Sequence, residues 1–415
     1  MSGQRTRRTA ITGIGVIAPN GLSTDVYWKS VKEGVSVLDR VTREGCGHLP
    51  LRVAGEVRGF DPATLVEETF LVQTDRFTHF AMAAAGAALG DAGLDEAATD
   101  SPYSIGVVTA AGSGGGEFGQ RELQKLWGQG SRFVGPYQSI AWFYAASTGQ
   151  ISIRGGFKGP CGVVASDEAG GLDAVAHAAR TVRRGTDVVV VGAAEAPLAP
   201  YSVVCQLAYP ELSTVEDPAA AYRPFTPQAC GFVPAEGGAV LVVEDADRAR
   251  RRGAAVRATV AGHAATFTGA SRWDRSREGL ARAIRGALDE AGCAPEEIDV
   301  VFADAMGTPE ADRAEALALA DALGPHGTRV PVTAPKAGIG RSYCGAPLLD
   351  VAAAVLAMEH GQIPPTPGVR DVCHEIDLVT ASARPAELRT ALVLSRGLMG
   401  SNAALVLRRG PETAA

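Results

Sequence analysis

The sequence predicts an α/β protein that contains the same folding unit twice, with sheets buried on both faces. Three observations lead there. A helical stretch ending at an Ala-Gly pair, followed by a strand ending in glycine, occurs twice: "AALGDAGL" (Ala87–Leu94) before "SIGVVTAAG" (Ser104–Gly112), and "GALDEAGC" (Gly286–Cys293) before "IDVVFADAMG" (Ile298–Gly307). A second helix is also duplicated, "LDAVAHAARTVRRG" (Leu172–Gly185) and "LDVAAAVLAMEHG" (Leu349–Gly361). Both copies carry apolar residues at helical spacing and stop on glycine. Each half then closes on short β-branched runs: "DVVVVGAAEA" and "GGAVLVVED" in the first, "TALVLSRG" and "NAALVLRRG" in the second. Continuous apolar strands of this kind belong to sheets covered on both sides.

The two halves divide as 1–250 and 251–415. Near the boundary, "EDADRARRRGAAV" takes a charged helical turn into a new strand around Val256. The first half carries an insertion at about 113–158, rich in glycine and in aromatics: Phe118, Trp127, Phe133, Tyr137, Trp142, Phe143 and Tyr144. Such a density marks a protein interface or a ligand channel, or else a local core beneath a long loop. The residues alone leave both readings open.

Composition narrows the function classes. Of 415 residues, 46 % are apolar and 20 % charged, and the net charge of −7 argues against a nucleic acid or other polyanion as the main ligand. No apolar run reaches the roughly 18–20 residues of a membrane span. The N-terminus passes from a short basic tail into strand-like sequence without a signal-peptide core. Seven scattered cysteines (46, 161, 205, 230, 293, 344, 373) form no C-x-x-C pair. The expectation is a cytoplasmic protein with free thiols, no membrane contact, no metal and no cofactor.

Most motifs fail their physical test. "AITGIGVIAPNG" holds a partial dinucleotide fingerprint, but Pro19-Asn20-Gly21 writes a turn where a phosphate-binding helix would have to open. Phosphate-loop, serine-hydrolase and zinc signatures are absent, and the seven histidines are isolated. His177 and His360 lie in helical stretches, as surface or C-terminal dipole residues rather than general bases. Three segments resist dismissal. "RPFTPQACGFVPAEGGAVLVVE" has a buried-looking Glu236 before a strand, "DAMGTPEADRAEALAL" places Asp312 and Glu315 on the first turns of a helix, and "TAPKAGIGRSYCGAPLLD" offers Lys336, Arg341 and Cys344. On residue chemistry alone, Lys336 and Arg341 read as members of structural ion pairs, for example Lys336 with Glu236.

Together these segments resemble the ketosynthase family of the thiolase superfamily, over almost the whole chain. "AITGIGVIAPNG" is similar to its first strand and turn, and "GQISIRGGFKGPCGVV" to the approach to its nucleophile. "MGTPEADRAEA" resembles a damaged H-G-T-G-T region, "PKAGIGRSYCGA" a K-x-x-x-G-H-x-x-G-A region, and "GLMGSNAALVL" the final glycine-rich strand. The resemblance implies a thiolase-like fold with five layers, α-β-α-β-α. It also implies decarboxylative condensation by a cysteine at a helix N-terminus, with two histidines stabilising the enolate.

In this chain the cysteine position in "SDEAGGLD" holds Glu168, and the histidine positions hold Met306 and Arg341. A glutamate forms no acyl thioester, Met donates no hydrogen bond, and Arg exchanges no proton near neutral pH. This pattern resembles the chain length factors, the ketosynthase β subunits of bacterial type II polyketide synthases. The resemblance implies a non-condensing subunit that pairs with a ketosynthase α subunit, receives the chain carried by an acyl carrier protein, and lines the polyketide tunnel with its aromatic insertion. It also implies a chain-length gate at Gly116, Gly119 and Leu123, whose i, i+3, i+7 spacing is one helical stripe. Two glycines there imply a long product, a decaketide or more, unless they merely permit a tight turn. An alternative activity follows from the same resemblance, malonyl-carrier decarboxylation through Glu168. That role needs a protonated Glu168, which a helix N-terminus disfavours, so capping or pairing with Arg341 is the expected role.

Overall fold

The computed structural model describes residues 7–94, 101–269 and 273–411. The basic tail begins in residues 1–6, outside the described residues. Among the described residues, eleven strands form one hydrogen-bonded sheet: β1 (Thr9–Ile17), β2 (Ile105–Ala110), β3 (Cys161–Val164), β4 (Val188–Glu195), β5 (Gly237–Asp245), β6 (Ala258–Phe267), β7 (Val300–Phe302), β8 (Pro331–Thr333), β9 (Asp377–Leu378), β10 (Thr390–Arg396) and β11 (Ser401–Arg409). Their order is β9-β8-β7-β10-β11-β6-β1-β5-β4-β2-β3. From the centre outwards the two sides match. β1 pairs antiparallel with β5, then β4, with β2 and β3 parallel beyond; β6 pairs antiparallel with β11, then β10, with β7 and β8 parallel beyond. The sides meet where Ala10 and Ile11 pair with Thr259 and Ala258. The duplication read from the sequence is therefore a duplication of topology.

Eight helices position the site: α1 (Arg76–Asp91), α2 (Gly116–Gln129), α3 (Ala146–Arg154), α4 (Gly170–Arg183), α5 (Pro200–Gln206), α6 (Trp273–Ala291), α7 (Pro309–Leu323) and α8 (Gly345–His360). The duplicated pair, α4 and α8, pack on each other, and each touches strands of both halves. They form the middle layer between the two sheet halves. Every residue of α8 from Gly345 to Met358 is buried, as a helix enclosed on all sides requires. α1 covers β1, β5 and β4 from outside, while α6 covers β6 and β11 and α7 packs on α6. The layers therefore run α-β-α-β-α. No helix among the described residues is long and apolar enough to cross a membrane.

The glycines of "TGIGV" serve this packing and not a phosphate. A Cβ at Gly13 would lie 2.2 Å from the Ala88 carbonyl oxygen, and one at Gly15 would lie 2.0 Å from that of Ala84, so only glycine lets α1 lie directly on β1. His177 is exposed on α4, and His360 stacks on Trp28 with ring centroids 5.3 Å apart. In the Arg248–Arg252 run, Arg248 and Arg252 both turn inward to the buried Glu244, at 2.7 and 2.5 Å.

Candidate functional site

β3 leaves the sheet at Val164 and the chain turns sharply through Ser166 and Asp167 into α4. Asp167 takes φ +60°, a left-handed conformation that costs a residue with a side chain about 1 kcal/mol or more. The turn is held in return. The Asp167 carboxylate accepts from the backbone N–H of Met399 at 2.8 Å and from the Ser401 hydroxyl at 3.0 Å, and its carbonyl accepts from the Cys344 thiol at 3.0 Å. Ser166 donates to Asp173 at 2.7 Å, fixing the first turn of α4. A Cβ at Gly171 would lie 2.4 Å from the Cys344 carbonyl oxygen, so the starts of α4 and α8 touch backbone to backbone.

Glu168 points inward from this turn and is 2 % exposed. Its Oε2 accepts from Arg341 Nη2 at 3.1 Å. Arg341 also donates to the carbonyl oxygens of Asp304 and Arg396, at 2.6 and 3.1 Å, and to Asp304 Oδ1 at 3.0 Å. Asp304 in turn accepts from Arg396 Nε at 3.1 Å, and Arg396 donates to Glu315 at 2.9 Å. Lys336 donates to the Ala303 carbonyl at 2.8 Å and pairs with Asp350 at 2.5 Å. All seven side chains are buried. Three cations therefore face four carboxylates, an excess of one negative charge in a dry environment.

That excess is visible in the acidities. Burial pushes Glu168 up to about 7 against the pull of Arg341. Burial also works to raise Asp304, but Arg341, Arg396 and Lys336 outweigh it and hold that carboxyl below the usual carboxylate range. The expectation that the helix N-terminus keeps Glu168 ionised is therefore corrected: desolvation is the larger effect.

Met306 follows Ala305, another left-handed residue at φ +51°, and is wholly buried with Tyr222, Phe232, Leu212 and Leu398. It fills its place with apolar volume. Cys344 comes close to the turn but is enclosed, and burial, together with the charge of Glu195, raises its thiol well above the usual range, the wrong direction for a nucleophile. The sequence-based pairing of Lys336 with Glu236 does not form. Glu236 lies at the head of β5 and faces the start of α1. There it takes Arg76 at 3.0 Å, Arg43 and the backbone N–H of Val57, while Lys336 faces Asp350 on α8.

A cavity of about 510 Å³ opens beside the turn, lined by Tyr144, Ser166, Asp167, Tyr209, Phe267 and Met399 among others. Glu168 is not among its lining residues. Gly116, Gly119 and Leu123 do share α2, but they meet different surroundings. A Cβ at Gly116 would lie 2.3 Å from the Ser202 hydroxyl on α5; one at Gly119 would make ordinary contacts at 3.8 and 3.9 Å with Gln138 and Trp142; Leu123 is 41 % exposed. Of the insertion's aromatics only Phe118 is buried, and Trp127 is 83 % exposed. Local core is thus ruled out for most of them. Sequence reasoning missed Arg396, although an arginine closing the apolar run "TALVLSR" was a signal that a buried charge needed partners.

Residues 6–249 match the family model of the beta-ketoacyl synthase N-terminal domain, and residues 257–370 that of its C-terminal domain. The chain belongs to the beta-ketoacyl synthase family. Within that family it is a chain length factor, a ketosynthase β subunit. It is 84 % identical to a putative polyketide beta-ketoacyl synthase 2 of Streptomyces cyaneus, covering 100 % of this chain and 99 % of that protein. It is 50 % identical to the tetracenomycin polyketide synthase ketoacyl synthase beta subunit of Streptomyces glaucescens, covering 96 % of this chain and 98 % of that one. Among solved structures, the ishigamide ketosynthase/chain length factor superposes with a TM-score of 0.87 at 27 % identity, covering 98 % and 100 % of the two chains. A type II polyketide synthase acyl-carrier protein in complex with its ketosynthase, bound to the hexaketide, contains a chain matching with a TM-score of 0.88 at 25 % identity, covering 98 % of this ketosynthase β subunit and 100 % of that chain.

Proposed function

We propose that this ketosynthase β subunit is the non-condensing half of a type II polyketide ketosynthase heterodimer, which shapes the tunnel that holds the growing chain and so sets its length. One observation carries the proposal: the seat of the nucleophile is filled by Glu168 and locked to Arg341. We assign the family's cysteine and histidine positions to Glu168, Met306 and Arg341, and the two thiolase-like halves to residues 1–250 and 251–415. Glu168 forms no acyl thioester, Met306 donates no hydrogen bond, and the Arg341 Nη groups are spent on Glu168, Asp304 and the Arg396 carbonyl. The partner is a ketosynthase α subunit, and the chain arrives on an acyl carrier protein through its phosphopantetheine arm. The surface that meets the α subunit is the aromatic insertion, where Trp127, Trp142, Phe143 and Tyr137 stand exposed. The neighbouring edge strand β3 also carries an exposed Val163 and an unpaired flank. The work is done in the cytoplasm, whose reducing conditions fit seven free cysteines.

The gate lies on α2, and the product is long, a decaketide or more. Support is strongest at Gly119, where the space beside the helix admits a side chain; at Gly116 a ring would have to displace Ser202. Size-exclusion chromatography of this chain with its ketosynthase α subunit tests the pairing: one 1:1 peak is expected, and a chain that ignores the ketosynthase overturns it. The second reading, decarboxylation of malonyl-carrier protein by Glu168, draws support from a carboxyl pushed up to about 7 and hence partly protonated. Against it stand the burial of Glu168 and its absence from the cavity wall. Release of labelled carbon dioxide by the purified chain, lost in Glu168→Ala, would establish that second reading.

A further inference from the structure

Two buried carboxylates outside the Glu168 network converge on the segment that leads into α2. Glu195, at the end of β4 and fully buried, accepts through Oε1 from the Gly112 backbone N–H at 2.5 Å. Its Oε2 accepts from the Ser113 backbone N–H at 3.2 Å and from the Ser113 hydroxyl at 2.5 Å. Asp75, 2 % exposed, caps α1 by accepting from Phe77 N–H at 3.2 Å through Oδ1. Its other oxygen reaches across and accepts from Phe118 N–H, in the first turn of α2, at 2.6 Å. Neither carboxylate forms a salt bridge among the described residues. Every acceptor oxygen of the pair is spent on a specific donor, and four of those donor groups, on Gly112, Ser113 and Phe118, lie in residues 112–118. This segment also adjoins the inactive seat: a Cβ at Gly112 would lie 3.5 and 3.6 Å from Tyr343 Cβ and Cys344 Sγ.

We propose that Glu195 and Asp75 are positioning residues for chain-length selection, pinning the two ends of residues 112–118 so that α2 presents Gly116 and Gly119 at one fixed depth. This rests on the assignment of the gate to α2. Carboxyl groups buried without cations are costly to ionise, and burial raises both of these above the ordinary range; a fold that needed only a loop closure could use neutral groups there. What a carboxylate adds is two acceptors and no donor, which matches a site that presents donors alone.

The test uses the heterodimer with its carrier protein and three variants, Glu195→Gln, Asp75→Asn and Ser113→Ala. Each amide variant is isosteric but turns an N–H₂ group toward a backbone donor, leaving a buried bond unmade and the segment free to take alternative positions. The expected result is a mixed set of polyketide lengths, with the share of the wild-type length falling about fivefold or more relative to the others, while the heterodimer still elutes as one peak. Ser113→Ala removes one bond and keeps the carboxylate, so it should show a smaller change of the same kind; it decides the matter if an amide variant does not fold. A single product of unchanged length, at any yield, from all the folded variants would overturn the proposal and leave these carboxylates a purely structural role. Gly119→Phe, run in parallel, separates the two claims. If it leaves product length unchanged, the gate assignment fails; if it shortens the product while the carboxylate variants do not, only the positioning role fails.

Discussion

Replacing Arg341 by methionine should damage this protein far more than replacing the glutamate it holds. Arg341 makes four hydrogen bonds from a fully buried position, two of them to the carboxylates of Glu168 and Asp304. Arg341→Met preserves much of the volume but removes the ion pair of Glu168 and leaves Asp304 with Arg396 and the nearby Lys336. Breaking a buried pair from one side costs about 3–5 kcal/mol. Unfolding entropy scales at about 2.1 cal/mol/K per residue, or roughly 0.9 kcal/mol/K for a chain this long, so the midpoint should fall by about 3–6 °C. Glu168→Gln is the opposite case. The amide oxygen still accepts from Arg341, and the surplus negative charge disappears, so the midpoint should stay within about 1 °C of wild type or rise at alkaline pH. Scanning calorimetry on the three proteins in one buffer decides the matter. If Arg341→Met melts with the wild type, or if Glu168→Gln falls as far as Arg341→Met, the charge accounting of this network is wrong.

The same network sets a pH dependence. The folded-state pKa of Glu168 lies above its unfolded value, so the stability it contributes is complete below the ordinary carboxylate range and is lost as pH rises through about 7. The loss is of order 3 kcal/mol, and Glu168→Gln should remove that part of the slope in denaturant titrations run from about pH 5 to pH 8. Glu195 and Asp312, both raised to about 7 by burial, keep a residual slope of the same sign. Restoring the thiol alone should not restore chemistry: Glu168→Cys is expected to extend no malonyl-primed carrier protein, because Met306 and Arg341 still occupy the other two places; detectable labelled product would contradict this. At the proposed interface, Trp142→Ala should weaken the heterodimer by about 2 kcal/mol, roughly thirtyfold in Kd, measured by analytical ultracentrifugation. Val163→Asp on the open edge strand should do at least as much, and unchanged affinity in both would move the interface elsewhere.

Much of this was legible from residues alone because it depended on local pattern. Repeated helix-strand units gave away the duplicated architecture, since each repeat has to bury the same apolar faces. The resemblance assigned Glu168, Met306 and Arg341 to the family's three catalytic positions, and that none of them is a cysteine or a histidine needed no coordinates. Pairings across the chain were another matter. Lys336 and Glu236 are both buried and opposite in sign, which made them plausible partners, but Lys336 finds Asp350 on the helix that follows it, and Glu236 finds Arg76, 160 positions away. Arg396 was overlooked because its two carboxylates, Asp304 and Glu315, lie more than 80 positions away.

By itself, then, the chain of residues determined a duplicated α/β fold with sheets covered on both faces, because periodicity is a property of short segments; the five layers, and Glu168 in the nucleophile's place, were what the family resemblance implied. Only the tertiary structure decided that Glu168 is buried off the cavity wall with its carboxyl pushed up to about 7, and that the glycines of α2 face unequal space. Those outcomes depend on desolvation and on which atoms from remote segments arrive within a few ångströms, and no local pattern encodes either.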